Sequence, residues 1–304
     1  MSSANSQFVI SLLIILAGFL CKKVSLLKES DGEAVSRIIF NLTLPSLVIS
    51  TFSTMKIDSS LLLVPLISIG YGFLMAGLAV VFFRKESAKD RGMVSMLLPG
   101  FNIGLFAYPL VESIWGQEGL KYFGMFDMGN SVIVFGVCYI FASVFASEGT
   151  GVDYKGILKK VSRSVPFMSY LITLAVNLSG LHFPGIVLDI TKVLSRANMP
   201  LSLLLLGVYL SFSFEKSYWV KMGKILALRY GTGIITGTAL YFLLPFEPLF
   251  RYTMLLGFVL PISMSVIPYS VQFDYDRRFV GTVNNITIVI SFLLMWAVVA
   301  LGVA

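Results

Sequence analysis

Two apolar stretches of the chain are interrupted in the same way. Residues 97–113 read LLPGFNIGLFAYPLVES, with Pro99, Gly100, Asn102, Gly104 and Pro109 close together. Residues 257–273 read GFVLPISMSVIPYSVQF, with Pro261, Ser263, Ser265 and Pro268. Proline removes a helix donor and clashes with the preceding turn, so it frees carbonyls. A broken helix also offers half-helix N-termini, whose N–H groups and dipole favour anions. Two proline kinks without a ligand are the plainer alternative. A matched pair of breaks in apolar helices, with Asn and Ser beside them, instead points to a solute site. The candidate contacts are Asn102, Gly104, Tyr108, Pro109, Pro261, Ser263, Ser265 and Pro268. Asn41 and Asn198 either join them or bond helix to helix. Asp127 lies one turn from Asn130 in FGMFDMGNSVIVFG. It either marks an ion or proton path or sits hydrated at an interface.

Other chemistries lack their residues. His182 is the only histidine, and Cys21 and Cys138 stand in separate apolar runs, so no metal spacing exists. The chain has no phosphate-binding P-loop, no HExxH and no GxSxG. Asp274 and Asp276 lack a second acidic cluster and read as a solvated turn. Neither a cofactor nor a metal is expected, and the chain does not read as an enzyme. Gly100-x-x-x-Gly104 and Gly233-x-x-x-Gly237 read as close helix packing.

The elements that must position these residues are membrane helices. Of 304 residues, 57% are hydrophobic and 13% charged, and the mean hydropathy is +0.87. A soluble domain carries about 25% charged residues. The composition excludes a soluble enzyme and a disordered chain. The net charge of +7 sits in short loops rather than in a patch, so no nucleic-acid partner is expected. Apolar runs predict an all-α polytopic protein with ten spans: 7–21, 38–55, 61–83, 93–115, 122–146, 164–181, 197–213, 225–244, 252–271 and 280–303. Eighteen of the 23 Lys and Arg, Arg229 among them, fall in alternate loops, and five fall in the others. That asymmetry predicts both termini on the non-cytoplasmic side. By this count no positive side chain is buried in mid-membrane. The first span has no basic leader and reads as a retained helix.

The polar stretch at 151–163 divides the chain into 1–150 and 164–304, with five spans each. Five spans per half predict an inverted repeat. Ser36-Arg37 and Ser195-Arg196, Pro45 and Pro200, Pro99 and Pro261, and Pro109 and Pro268 recur at offsets of 155 to 162 residues. Residues 184–196 predict an interfacial helix, with Ile186, Ile190, Val193 and Leu194 on one face.

The runs FNLTLPSLVIS, FNIGLFAYPLVESIWGQEGLKYFGMFDMGNS, NMPLSLLLLGVYLSF and LPISMSVIPYSVQFDYD, in this order, resemble the auxin efflux carrier family. The chain is similar to a bacterial member without a long central loop. The resemblance implies a 5+5 fold related to bile-acid/sodium symporters. Spans 1, 2, 6 and 7 would form a scaffold, and spans 3–5 and 8–10 a transport domain. Broken helices 4 and 9 would cross at the substrate site, here at Asn102, Pro109, Pro261 and Pro268. Asn102 is followed by Ile103-Gly104 rather than the plant carriers' Asn-Pro-Asn-Thr-Tyr-like crossing, which speaks against auxin itself. The expected activity is secondary transport of a small organic anion, malate- or malonate-like or an auxin-like weak acid, across the plasma or inner membrane. H+ or Na+ coupling and a homodimer are expected with it. Asp127 and Asn130 are the coupling candidates. A polytopic membrane enzyme and a non-transporting receptor are the alternatives.

Overall fold

The computed structural model describes residues 3–53, 55–56, 59–146, 154–211 and 215–300. These residues form a helical membrane protein. Helix α1 (Ser3–Lys23) is followed by α2 (Glu29–Ile38), which runs through a π-helical turn (Ile39–Thr43) into α3 (Leu44–Phe52). Then come α4 (Ser59–Phe82) and α5 (Ala88–Leu97). After a break, a second π-turn (Ile103–Ala107) opens α6 (Tyr108–Val132), and a third (Ile133–Cys138) leads into α7 (Tyr139–Ala146). The second half holds α8 (Tyr154–Arg163), α9 (Val165–Leu178), α10 (Gly185–Ser195), α11 (Asn198–Tyr209) and α12 (Trp219–Leu243). It ends with α13 (Pro248–Gly257), α14 (Val266–Gln272) and α15 (Arg277–Val298). Among the described residues the one extended contact is an antiparallel bridge between Phe101 and Ile262.

Local sequence explains the boundaries. Ser87, Ser164 and Asp276 cap α5, α9 and α15, each accepting from the backbone N–H three residues on. Two π-turns end two residues before a proline, Pro45 and Pro109. Proline cannot donate to the fourth residue back, and the wider turn makes room for its ring. The stretch read as a loop over 151–163 contains α8, and residues 151–153 lie outside the described residues.

Helix α6 is a hairpin. Gly116 has φ +58° and ψ −142°, a backbone only glycine adopts readily. The Tyr108 hydroxyl donates to Asp127 Oδ2 at 3.1 Å, although nineteen residues of straight helix would span about 28 Å. The predicted boundary between the fourth and fifth spans lies at this turn.

Among the described residues, five helical stretches are long and apolar enough to cross a membrane: Ala4–Lys23, Glu29–Phe52, Ser60–Phe82, Ile103–Ala146 and Arg277–Val298. The surface is inverted relative to a soluble protein. Leu20, Leu66, Phe73, Ile235 and Phe242 are exposed, while Ser11, Thr173, Asn198, Asn284 and Ser291 are buried. Lipid-facing apolar chains around satisfied backbone are what a bilayer demands. Helix α10 follows this pattern: Ile186, Ile190 and Val193 are exposed, and Thr191 and Ser195 are buried. Leu194 is only partly exposed, so the apolar face is narrower than predicted.

Glycines bring backbones together where helices cross. A Cβ on Gly207 of α11 would lie 2.0 Å from the Ile15 carbonyl oxygen of α1, and one on Gly18 2.2 Å from that of Leu204. Gly233 and Gly237 meet Phe258 and Leu255 in the same manner, so this glycine pair is a packing motif. Gly100 lies in the break before α6 and not on a helix, so the Gly100/Gly104 spacing is not one. Gly207→Val meets backbone that cannot move aside. It is expected to destabilise by about 3 kcal/mol, read as a lowered melting temperature in detergent. Gly77→Ala, which meets nothing within 4 Å, should stay within about 0.5 kcal/mol of wild type.

Candidate functional site

The two proline-bearing breaks cross each other. The backbone N–H of Asn102 donates to the Pro261 carbonyl at 2.9 Å, beside the Phe101–Ile262 bridge. Each break is also held by the side chains of a neighbouring helix. Asn130 of α6 accepts from the Phe101 N–H at 2.9 Å and donates to its carbonyl at 3.0 Å. Thr287 of α15 accepts from the Ile262 N–H at 3.1 Å, and Asn284 donates to the Ile262 carbonyl at 3.1 Å. These side chains thus replace the partners that a continuous helix would have provided.

Arg229 of α12 overturns the expectation of a membrane interior without positive charge. It is fully buried, in the middle of a helix rather than in a loop. Its Nη1 donates to the Leu98 carbonyl at 2.6 Å. Its Nη2 donates to those of Gly100, Leu260 and Pro261 at 3.0, 2.9 and 3.1 Å. The guanidinium lies over the Phe101 ring, 4.5 Å from its centroid. These carbonyls follow the C-terminal ends of α5 and α13, where helix dipoles are negative. The misplacement has a simple cause. Arg229 follows Lys221 and Lys224 closely in sequence, while its carbonyl partners lie 31 to 131 residues away.

Asp127 is buried. Its Oδ2 accepts from the hydroxyls of Tyr108 at 3.1 Å and Tyr170 at 2.9 Å. Its Oδ1 accepts from Asn130 at 3.2 Å. The two hydroxyls also contact each other. Tyr170 comes from α9, so the cluster joins two parts of the chain that are far apart in sequence.

A cavity of about 1600 Å³ reaches the crossing. Its inner wall includes Asn102, Gly104, Asp127, Asn130, Ser263 and Ser265. Its outer part carries Glu29, Glu33, Arg37, Lys159, Arg163, Arg277 and Arg278, all exposed. Asn41 and Pro268 also line it. The Nδ2 of Asn102 is buried without a hydrogen-bond partner, beside the N-terminal end of the helix that starts at Ile103. Four predicted residues lie off the cavity wall. Pro261 contributes its carbonyl to the crossing, and Tyr108 holds Asp127. Pro109 packs within α6. Asn198 is fully buried and accepts from the Thr43 hydroxyl at 3.0 Å, a helix-to-helix bond. Sequence reasoning missed Arg229 and Tyr170. The only signal for either is a polar residue inside an apolar run.

Among known proteins, the sequence model of the membrane transport protein family matches residues 5–299. An uncharacterized transporter of Methanothermobacter thermautotrophicus is 25% identical over 303 residues, covering 97% of this chain and 98% of the relative. An uncharacterized transporter of Methanocaldococcus jannaschii is 24% identical over 298 residues, covering 94% and 95%.

Asn130→Ala would strand the buried N–H and carbonyl of Phe101 and one donor bond to Asp127. At about 1–3 kcal/mol for each stranded group, it should lower the melting temperature more than Asn41→Ala. The Asn41 amide is exposed and bonds only the Arg37 carbonyl in its own helix.

Proposed function

Starting from the chain's membership of the membrane transport protein family, we propose that it is a secondary carrier of a small organic anion. Candidate substrates are malate- or malonate-like carboxylates and auxin-like weak acids. The observation that carries this reading is the inner end of the cavity. There the unpartnered Asn102 amide stands beside the N-terminal end of a helix, where a carboxylate gains both hydrogen bonds and a favourable dipole. Gly104, Ser263 and Ser265 complete the wall. The exposed rim carries five basic side chains against two acidic ones, a balance that draws anions inward.

The chain crosses the membrane ten times as two inverted halves, residues 1–150 and 164–304, with 151–163 as the connection. The crossing helices are α5 with the first arm of α6, and α13 with α14. Three features support the inverted repeat. The breaks pair with each other, each is held by side chains of the span that follows the broken one, and Thr43 bonds Asn198 at related positions. Spans 1, 2, 6 and 7 form the scaffold, and spans 3–5 and 8–10 the moving transport domain. Both termini lie outside the plasma or inner membrane, so the cavity opens to the cytoplasm. The scaffold is also where a homodimer forms. Alternating access closes this cavity and opens the opposite side, where Phe52 packs on Gly124 and Tyr170 reaches Asp127. Asp127 carries the coupling proton.

The test is labelled malate flux into proteoliposomes, with and without a pH gradient, followed by a panel of other small acids. A hydrogen bond to a charged group is worth about 1.5–3 kcal/mol. Asn102→Ala should therefore weaken substrate affinity roughly ten- to 150-fold while the protein stays folded. Undiminished uptake by this variant would refute the site. Asp127→Asn should keep substrate exchange and lose accumulation driven by the gradient. Folded protein that moves none of the acids would refute the carrier reading.

A further inference from the structure

The carbonyls of Leu98, Gly100, Leu260 and Pro261 all point at one place, and the guanidinium of Arg229 fills it. Two helix C-termini brought together repel each other and jointly attract a cation. In membrane carriers, unwound carbonyls at broken helices are groups that hold a monovalent ion. Here the cation is part of the chain. No carboxylate lies within ion-pair distance of Arg229 among the described residues, so its charge answers to the carbonyls and to the Phe101 ring. The cage is better satisfied than the group that fills it. Every one of the four carbonyls has a donor, yet the buried Nε of Arg229 has no acceptor. Nor does Arg229 line the cavity; the Phe101 ring lies against its guanidinium, and it is Phe101 that lines the wall.

We propose that the carbonyl cage at the crossing is a monovalent-cation site permanently occupied by the side chain of Arg229, so that the crossing assembles without Na+ or any other free ion. Arg229 is a positioning residue: it sets the geometry of the breaks and touches no substrate. The proposal rests on the carrier reading only for its corollary, that transport does not depend on Na+. Its main readout is stability, which requires no substrate, so it stands or falls separately from the flux assay.

The experiment is thermal melting of the purified full chain in detergent. Wild type should melt at the same temperature in NaCl, KCl and choline chloride of equal ionic strength. Arg229→Ala should melt lower and recover part of the loss in Na+ or methylguanidinium, at concentrations that leave wild type unchanged. Urea, which has similar donors and no charge, and choline, which is too large, should restore nothing. Should the Ala variant fail to fold, Arg229→Lys and Arg229→Gln carry the comparison, with Lys expected to melt clearly above Gln. Stabilisation of wild type by Na+ alone would overturn the proposal. So would recovery of the Ala variant by urea as much as by cations, the absence of any cation rescue, or equal losses in Lys and Gln.

Discussion

The convergence of four freed carbonyls on the Arg229 guanidinium is the contact on which the crossing depends. In a bilayer interior no water waits to bond an orphaned backbone group, and each one costs several kcal/mol. Breaking two helices at the same depth would be ruinous if each had to be repaired alone. Here the breaks repair each other through one bridge. Side chains of α6 and α15 take up the next groups, and one guanidinium takes the remaining carbonyls. The Phe101 ring lies against the guanidinium and adds a cation–π contact, which gains strength when both partners are desolvated.

A polarity follows from this repair. With the C-terminal ends of α5 and α13 sealed on Arg229, the breaks turn their N-terminal ends toward the cavity. The cavity wall carries Asn102, Ser263 and Ser265, and among the described residues its one buried carboxylate is Asp127. Asp127 is held by three donors, so it does not compete for the Asn102 amide. Through Asn130, which bonds both Phe101 and Asp127, the same side chain supports the break and orients the acid. A single amide thereby couples the geometry of the crossing to that of the acidic cluster.

Much of this was legible in sequence because it depends on local chemistry. Pro99, Pro109, Pro261 and Pro268 announce interruptions wherever they stand in an apolar run; the structure breaks the helices at Pro99 and Pro261, while Pro109 and Pro268 lie near the start of the helices that follow. The glycine pair in α12 reads as close packing and is close packing. What was illegible depends on partners remote in sequence. Arg229 looks like a basic residue at the end of a basic segment, and nothing within thirty residues of it reveals the carbonyls it serves. Asn198 and Asn102 look alike on paper; one bonds Thr43 in the packed interior and the other faces a cavity. The apolar face of α10 was legible as a pattern, but its narrowing at Leu194 depends on tertiary packing and could not be read from spacing.

The distribution of contacts also bears on where such a molecule can move. Backbone-to-backbone glycine contacts join α1 to α11, α4 to α6 at Gly129 and Pro65, and α12 to α13. In the proposed division each of these lies within the scaffold or within the transport domain. Between the two, the contacts are made by side chains: Phe52 on Gly124, Leu44 on Gly104, and the Tyr170 hydroxyl on Asp127. Backbone contacts at van der Waals limits cannot slide without clashes, and the crossing cannot open without stranding a buried charge. Rings and hydroxyls can exchange partners at far lower cost. A motion between the two bundles therefore has its path of least resistance along the side-chain seam, with the crossing carried intact, and Asp127 sits where that seam meets the cavity.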